Sequence, residues 1–332
     1  MATDVTRAPR STGPDMGGCA GGAVQYRFHL LARDRPRYLR EALDSILAQE
    51  TTRRFSVVVS DNSETSSVQE VMRSEYPDVA CIRRAPPLSS RDHFNKLFKE
   101  ASSEFVVFFH DDDILSPNYL EVMSEVFNKH PGVVAVGCNA QIMRDDRRTD
   151  RTVMRTGRGR RTVTLANDLF GQYASIDVDG PPPFSGYMYR RASMANLTFG
   201  DGLGGKHADV VFLLDLLRRG PICWESKPLM YCRIHSGHDS ARESIGDRLE
   251  LARLVYSHAV LPRRSRAAQS MRFVYWYRWW KQEGKGKVLR SPKNRRESIV
   301  LRFLCTSGVT FAFSGTAFWR RIAQIVTERF RT

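Results

Sequence analysis

Short apolar runs alternate along the first 140 residues with segments whose apolar positions recur at helical spacing. After Pro36, for example, apolar residues fall at i, i+3, i+4, i+7 and i+8, which predicts a helix with one buried face. Strands that alternate with helices in this way favour a Rossmann-like α/β fold, a mostly parallel sheet with helices on both faces. The predicted strands are 26–31, 55–60, 79–82, 105–109 and 133–137, and the predicted helices begin near Pro36, Ser66, Ser89 and Pro117.

The run 105–109 ends abruptly in His110 and three consecutive acids, Asp111, Asp112 and Asp113. Five bulky apolar residues in a row predict a strand buried on both faces, and ligands of open α/β sheets bind at the carboxyl ends of such strands. Close carboxylates repel one another by roughly 4 kcal/mol per pair at an effective dielectric of about 20. A divalent cation is therefore the simplest compensating group, and oxygen ligands suit Mg²⁺ or Mn²⁺.

The alternative interpretation of the acids is a solvated turn in which they cap the next helix. A cap needs one acid and not three. A second strand end is also acidic, because 55–60 is followed by Asp61-Asn62-Ser63. Acids at two strand ends favour a binding site at this edge of the sheet.

Beyond residue 140 the regular alternation ends. The segment 144–161 is highly charged and predicts a hairpin or a lid, and 184–190 predicts a strand interrupted by Gly186. A loop with four glycines at 200–205 precedes a helix that begins near Asp209. A last strand is predicted at 230–234.

Several segments, in this order, resemble glycosyltransferase family 2. They are RDRPRYL at 33–39, VSDNS at 59–63, Asn95, and HDDDILSP at 110–117. The resemblance covers roughly 26–240, and the members of this family are inverting enzymes with the GT-A fold. It implies a nucleotide-diphosphate sugar donor, bound across the strand ends, and transfer of the sugar to an acceptor hydroxyl.

On the donor side, the resemblance assigns roles to acids and one amide. Asp61 is similar to the family acid that hydrogen-bonds the nucleobase. Asp111 and Asp113 resemble the metal-binding DXD pair, with Asp111 also directed toward the ribose. Asp112 is the alternative metal ligand, so the principal metal bond is left open between Asp112 and Asp113. Asn95 is a candidate donor contact on the preceding helix.

The acceptor side and the phosphate contacts come from later segments. Asp209 resembles the family's catalytic base, although a helix cap is the alternative from the local sequence. In the Arg-x-His segment at 233–235, the resemblance implies that Arg233 approaches the diphosphate and His235 the metal. The sequence departs from the family pattern at 29–32, where a small hydroxyl residue is common.

Charge distinguishes the last quarter of the chain from the rest. The net charge is +15, and residues 248–332 alone carry 19 Lys or Arg against four acids. Aromatic residues lie among the cations at 272–281, a composition suited to a membrane interface, whereas 303–319 is too polar for a good membrane span. This basic helical extension docks on an anionic membrane in one interpretation and packs on the catalytic domain in the other.

The predicted organisation is therefore a disordered segment 1–22, a catalytic domain 23–245 and the basic extension 246–332. The catalytic domain divides into a nucleotide-sugar-binding half, 23–140, and an acceptor-side half, 141–245. The N-terminal segment lacks a signal-peptide core, which predicts a cytoplasmic protein. In the interpretation in which the basic extension docks on a membrane, the protein associates peripherally with the inner face of that membrane. The six cysteines show no metal-ligand spacing.

The predicted function is metal-dependent transfer of a sugar, with Mg²⁺ or Mn²⁺ as cofactor and a saccharide, a lipid-linked saccharide or a small molecule as acceptor. A sugar-phosphate nucleotidyltransferase is one alternative, but the first strand lacks the glycine-rich phosphate loop that such chemistry favours. A non-enzymatic protein that binds nucleic acid through the basic extension is another. That alternative leaves the acidic strand ends unexplained.

Overall fold

The structure, a computed structural model, describes residues 24–144, 146–154, 156–157, 159–166, 168–169, 181–200 and 205–235. The predicted N-terminal segment 1–22 and the basic extension 246–332 lie outside these residues. In the described part of the chain, no helix is both long and apolar enough to cross a membrane.

The described residues form one sheet with helices packed against it. Its strands are β1 (Tyr26–Ala32), β2 (Phe55–Asp61), β3 (Ala80–Arg83), β4 (Phe105–His110), β5 (Ile114–Leu115), β6 (Ala135–Arg144), β7 (Arg147–Thr152), β8 (Arg161–Val163), β9 (Tyr187–Arg190) and β10 (Ile222–Ile234). The helices are α1 (Pro36–Leu47), α2 (Ser67–Glu75), α3 (Ser90–Glu100), α4 (Tyr119–Lys129) and α5 (Ala208–Leu217).

The strand order is β3-β2-β1-β4-β9-β6-β10-β5, with β7 paired to β6 and β8 paired to β10. Strands β1, β2, β3 and β4 are mutually parallel, and β6 and β10 run in the same direction. Only β9 and β5 run the other way among the eight strands of this described path. The predicted α/β fold with a mostly parallel sheet is confirmed.

Strand β4 lies at the centre of two apolar layers. Val107 and Phe109 face one layer, which contains α1 and α4, and Val106 and Phe108 face the other, which contains α3 and α5. All four side chains are buried. Each contributes about 1.5–3 kcal/mol by leaving water, so β4 is fixed in position and its carboxyl end holds the acids in place.

Helix α1 begins at Pro36, as its spacing predicts, and buries Leu39, Leu43 and Ile46. Helix α5 is apolar around nearly its whole circumference, and this predicts that the rest of the domain covers it on all faces. Its side chains are accordingly buried on nearly every side. The segment 184–190 forms a short 3₁₀ turn, Phe184–Gly186, followed by β9. The predicted interruption at Gly186 is therefore a turn at the entry of an antiparallel strand.

Two buried histidines in the same layer differ in their contacts. His29 stacks on Phe108 with ring centroids 5.4 Å apart, and within the described residues neither of its ring nitrogens has a hydrogen-bond partner. His93 lies 2.7 Å, Nε2 to Oγ, from Ser60, which also accepts a hydrogen bond from Arg84. Burial lowers the pKa of each histidine to about 4.

Replacing His29 by Phe is expected to stabilise the protein, because it removes two desolvated nitrogens and keeps the ring stack. The gain should grow as the pH falls from about 6.5 to about 4, since the unfolded chain takes up a proton in this range and the folded chain does not. Between pH 7 and pH 5 the extra gain is on the order of 2 kcal/mol. Denaturant unfolding at pH 7 and pH 5 measures it.

The matched control is His93→Phe, which removes a buried hydrogen-bonding partner of Ser60. This variant should lose about 1–3 kcal/mol at pH 7. If both variants were destabilised equally, the contrast between the two sites would be wrong.

Candidate active site

The acids at the end of β4 are buried by the neighbouring loops and strands. Asp111, Asp112 and Asp113 are 1%, 7% and 4% exposed. The backbone N–H of Asp111 donates to the carbonyl of Leu31 at the end of β1, at 3.1 Å. The parallel pairing of β1 with β4 thus continues into the acidic segment.

Asp113 is held by two elements that come much later in the sequence. One carboxylate oxygen accepts the Ser185 hydroxyl at 2.5 Å, and the other accepts the backbone N–H of Arg233 at 3.0 Å. A Cβ on Gly186 would lie 2.8 Å from the Met230 sulfur, so glycine allows the turn that carries Ser185 to approach β10. The side chain of Asp113 is thereby fixed in one orientation.

Asp112 lies between two basic side chains. Its Oδ2 accepts a hydrogen bond from the Arg35 guanidinium and lies 3.1 Å from Nε2 of His235. The second Arg35 nitrogen pairs with Asp111 Oδ1 at 3.0 Å. Arg35 precedes α1, so the turn after β1 brings a counter-ion to both acids.

One group of side chains converges closely enough to hold a metal ion among the described residues. Nitrogen or oxygen atoms of His110, Asp112 and Asp113 all lie within 4.8 Å of one another. Asp111 is not in this group, because its Oδ2 accepts the backbone N–H of Arg33 at 2.8 Å and its other oxygen faces Arg35. His235 is beside the group, through its contact with Asp112.

The residues present fit a divalent cation chemically. Burial raises the pKa of Asp111 to about 7 and also raises the pKa of Asp113. Burial acts in the same direction on Asp112, but the charges of His110 and Arg35 and the hydrogen bond with His235 lower its pKa overall. Buried carboxyls of this kind gain from a nearby positive ion, and carboxylate oxygens with one imidazole nitrogen suit Mn²⁺ or Mg²⁺.

Arg233 ties β10 to the rest of the site. Its guanidinium is fully buried and binds Glu41 of α1 and Asp146, the latter at 2.7 Å. Its Nε donates to the backbone carbonyl of Asp112 at 2.9 Å, and it lies over the Tyr38 ring at 4.3 Å. The diphosphate contact predicted for Arg233 stays a prediction, and the contacts seen are with acids of the protein.

The two remaining donor candidates, Asp61 and Asn95, are held by hydrogen bonds. Asp61 ends β2, is fully buried, and accepts Arg83 at 2.7 Å and the backbone N–H of Ser63 at 3.0 Å. Asn95 of α3 forms two hydrogen bonds with the backbone of Phe199, at 2.7 and 3.1 Å. These contacts position both side chains and leave their predicted roles untested.

Asp209 lies in the first turn of α5, as predicted, and is half-buried. Burial of the carboxyl raises its pKa above the usual value for aspartate, and the charges of His207 and His110 oppose that shift. Asp209 also acts electrostatically on Tyr187 of β9. The electrostatic interaction with His110 indicates that the Asp209 carboxyl lies in the neighbourhood of the carboxyl end of β4.

The sequence of this region matches a known family. Residues 28–178, which span β1 to β8 and include the acids, match the family model described as glycosyltransferase like family 2. This part of the chain is a family 2 glycosyltransferase domain. The resemblance drawn from the motifs at 33–39, 59–63 and 110–117 is confirmed. The protein is a glycosyltransferase.

Solved structures share the fold of this family 2 domain. S. aureus TarS 1-349 in complex with UDP-GlcNAc superimposes with a TM-score of 0.59 at 15% identity, over 86% of this chain and 89% of its own. The same protein in complex with UDP gives 0.58 at 17% identity, over 86% and 88%. The GT-A fold is therefore confirmed. No match was found among curated protein sequences.

Sequence reasoning missed two residues of the family 2 site. The sequence predicts no role for His110, although its place directly before the acids is an available signal. It also predicts no role for Arg35, since nothing in the local sequence indicates that Arg35 reaches Asp111 and Asp112. Both contacts depend on how the strand ends meet in space.

Proposed function

We propose that this protein transfers a sugar from a nucleotide-diphosphate donor to an acceptor hydroxyl, with inversion and with a divalent cation. The observation that carries the proposal is the convergence of His110, Asp112 and Asp113 at the end of β4 in a family 2 domain. The complexes of TarS with UDP and UDP-GlcNAc support a nucleotide-sugar donor on this fold.

On the donor side, the strand ends provide polar side chains for the nucleoside and the diphosphate. Asp61 would accept a hydrogen bond from the nucleobase, and Asp111 would face the ribose. Asn95 and Arg233 are the further proposed donor contacts. The donor therefore lies across the carboxyl ends of β2, β1 and β4, where the acids are buried and fixed by hydrogen bonds.

In this proposal the divalent cation binds next to the diphosphate of the donor. His110, Asp112 and Asp113 would hold Mg²⁺ or Mn²⁺, with His235 and Asp111 as further candidates. The bound ion would neutralise negative charge on the departing nucleotide diphosphate. Asp112 and Asp113 must be ionised to hold it, and their hydrogen bonds with His235, Ser185 and the backbone of Arg233 orient their oxygens.

On the acceptor side, Asp209 would remove the proton from the attacking hydroxyl. The oxygen then attacks the anomeric carbon from the face opposite the diphosphate, the bond to the diphosphate oxygen breaks, and the configuration inverts. A pKa raised by burial makes Asp209 a stronger base than an exposed aspartate. Backbone N–H groups of Asp209 and Val210, in the first turn of α5, donate hydrogen bonds to this carboxyl.

Thermal unfolding of the full chain with a panel of nucleotide sugars tests the proposal. At least one donor should raise the melting temperature when Mn²⁺ is present, and chelation with EDTA should reduce the shift. Proton NMR of the product should show the anomeric configuration opposite to that of the donor. No shift with any nucleotide sugar, or a product that retains the donor configuration, would contradict the proposal.

A further inference from the structure

The hairpin formed by β6 and β7 carries three exposed arginines, which we call the arginine face: Arg144, Arg147 and Arg151. Arg144 and Arg147 are direct partners across the two antiparallel strands, so their side chains lie on the same side. Arg151 lies in the same strand as Arg147, on the far side of a register shift in the pairing of β6 with β7. The facing pair and Arg151 together place three cations on one exposed hairpin.

Within the described residues, no acid is paired with these arginines. None of the three forms an ion pair there, and like charges directly opposite each other, as in Arg144 and Arg147, destabilise a strand pair. Nearby arginines differ, since Arg148 lies over the Tyr231 ring at 4.3 Å and Arg160 pairs with Glu225 at 2.8 Å. The arginine face thus keeps an unfavourable arrangement of charge that an external anion would relieve.

The hairpin lies at the same end of the sheet as the acids. Strand β9 pairs with β6 at 135–137, and β7 pairs with the same edge of β6 at 141–144, beyond the level where β4 ends. In the turn of the hairpin, Asp146 binds Arg233, whose backbone N–H donates to Asp113. One residue therefore connects the hairpin to the acids.

We propose that the arginine face binds a phosphate group of the acceptor. A carboxylate has two oxygens, and both can accept hydrogen bonds from a single guanidinium group. A phosphate group offers more oxygens and can therefore accept hydrogen bonds from two guanidinium groups at once. The facing pair Arg144 and Arg147 suits this arrangement. This inference rests on the proposed transferase function and names the class of its acceptor, a molecule that carries phosphate.

The test compares two triple variants of the full chain. The first is Arg144→Gln, Arg147→Gln and Arg151→Gln. The control, Arg54→Gln, Arg73→Gln and Lys99→Gln, removes the same charge from exposed residues near the amino ends of β2, β3 and β4. The probe is inorganic polyphosphate of defined length, and binding is measured by calorimetry at two salt concentrations.

The arginine-face variant should bind polyphosphate about tenfold more weakly than the wild type and with a smaller salt dependence, whereas the control variant should be unchanged. Polyphosphate should also slow hydrogen exchange in 141–152 of the wild type. Equal binding by the two variants, or no protection of 141–152, would overturn the proposal.

Competing partners are measured with the same proteins. Oligogalacturonate supplies carboxylates, phosphatidylglycerol vesicles supply a lipid surface, and single-stranded RNA supplies a nucleic acid. If the arginine-face variant lost binding to one of these and kept its binding to polyphosphate, the assignment to a phosphate-bearing acceptor would be overturned.

Donor binding separates this inference from the proposed function. Both triple variants should keep the thermal shift produced by the nucleotide sugar and Mn²⁺, because neither changes the acids. A wild type that binds polyphosphate at 141–152 but no nucleotide sugar would contradict the transferase function alone. A wild type that binds the donor while the arginine-face variant binds polyphosphate normally would contradict the acceptor surface alone.

Discussion

Asp209→Asn is expected to lower the rate of sugar transfer by about 10²–10⁴-fold while donor binding is retained. The amide has nearly the same shape as the carboxyl but accepts no proton, so the acceptor hydroxyl would have to attack without a base. The measurement is the transfer rate at saturating donor, together with the donor-induced thermal shift.

The matched control is Asp215→Asn on the same helix. Asp215 pairs with Arg218 at 2.7 Å, and the structure gives it no contact with the acids of β4 among the described residues. This variant should transfer sugar at close to the wild-type rate. Wild-type transfer by Asp209→Asn, or an equal loss in both variants, would show that Asp209 is not the base.

The pH dependence provides a second check on Asp209. Because burial raises its pKa, the carboxyl takes up a proton at a higher pH than an exposed aspartate does. Only the ionised form is a base, so kcat should fall as the pH decreases through this raised pKa. In Asp209→Asn the residual rate should lose that acidic limb.

The second large effect is expected at the acids of β4, where Asp112→Asn and Asp113→Asn should each weaken Mn²⁺ binding by about 100-fold or more. Each of these side chains belongs to the convergent group with His110, and each variant replaces a charged ligand by a neutral amide. The cation-dependent part of donor affinity and the rate of sugar transfer should fall together with the Mn²⁺ affinity. Electron paramagnetic resonance of free Mn²⁺ measures the affinity directly.

Asp111→Asn is the matched control for the cation. It removes an equally buried charge from the adjacent position, but its carboxylate faces Arg33 and Arg35 and lies outside the convergent group. Mn²⁺ affinity should fall less than in either of the other two variants. A larger loss for Asp111→Asn than for Asp112→Asn would favour the predicted DXD pair, Asp111 and Asp113, over the convergent group.

The sequence predicts well what depends on local pattern. The start of α1 at Pro36, the fully buried β4 and the placement of Asp209 in the first turn of α5 all follow from spacing and from residues that favour helix ends. Each of these features is determined by neighbours within about a dozen residues. The motifs at the strand ends also predicted the family and its fold.

Contacts between distant segments could not be predicted in the same way. The insertion of β9 between β4 and β6 depends on pairings between residues 50 to 85 positions apart. The orientation of Asp113 depends on Ser185 and on the backbone of Arg233, 72 and 120 residues later. Which of the three adjacent acids converge with His110 depends on such contacts, so the motif alone leaves the principal metal bond open between Asp112 and Asp113.

A cation that binds at these acids has to compete with the guanidinium of Arg35. The guanidinium contacts Asp111 and Asp112 at once, so an ion that binds Asp112 competes with a positive charge already supplied by the chain. The affinity for the cation is then the difference between two free energies: that of the carboxylates with the cation and that of the same carboxylates with the guanidinium of Arg35. An uncharged residue of similar size at position 35 would let the same carboxylates hold Mn²⁺ more tightly.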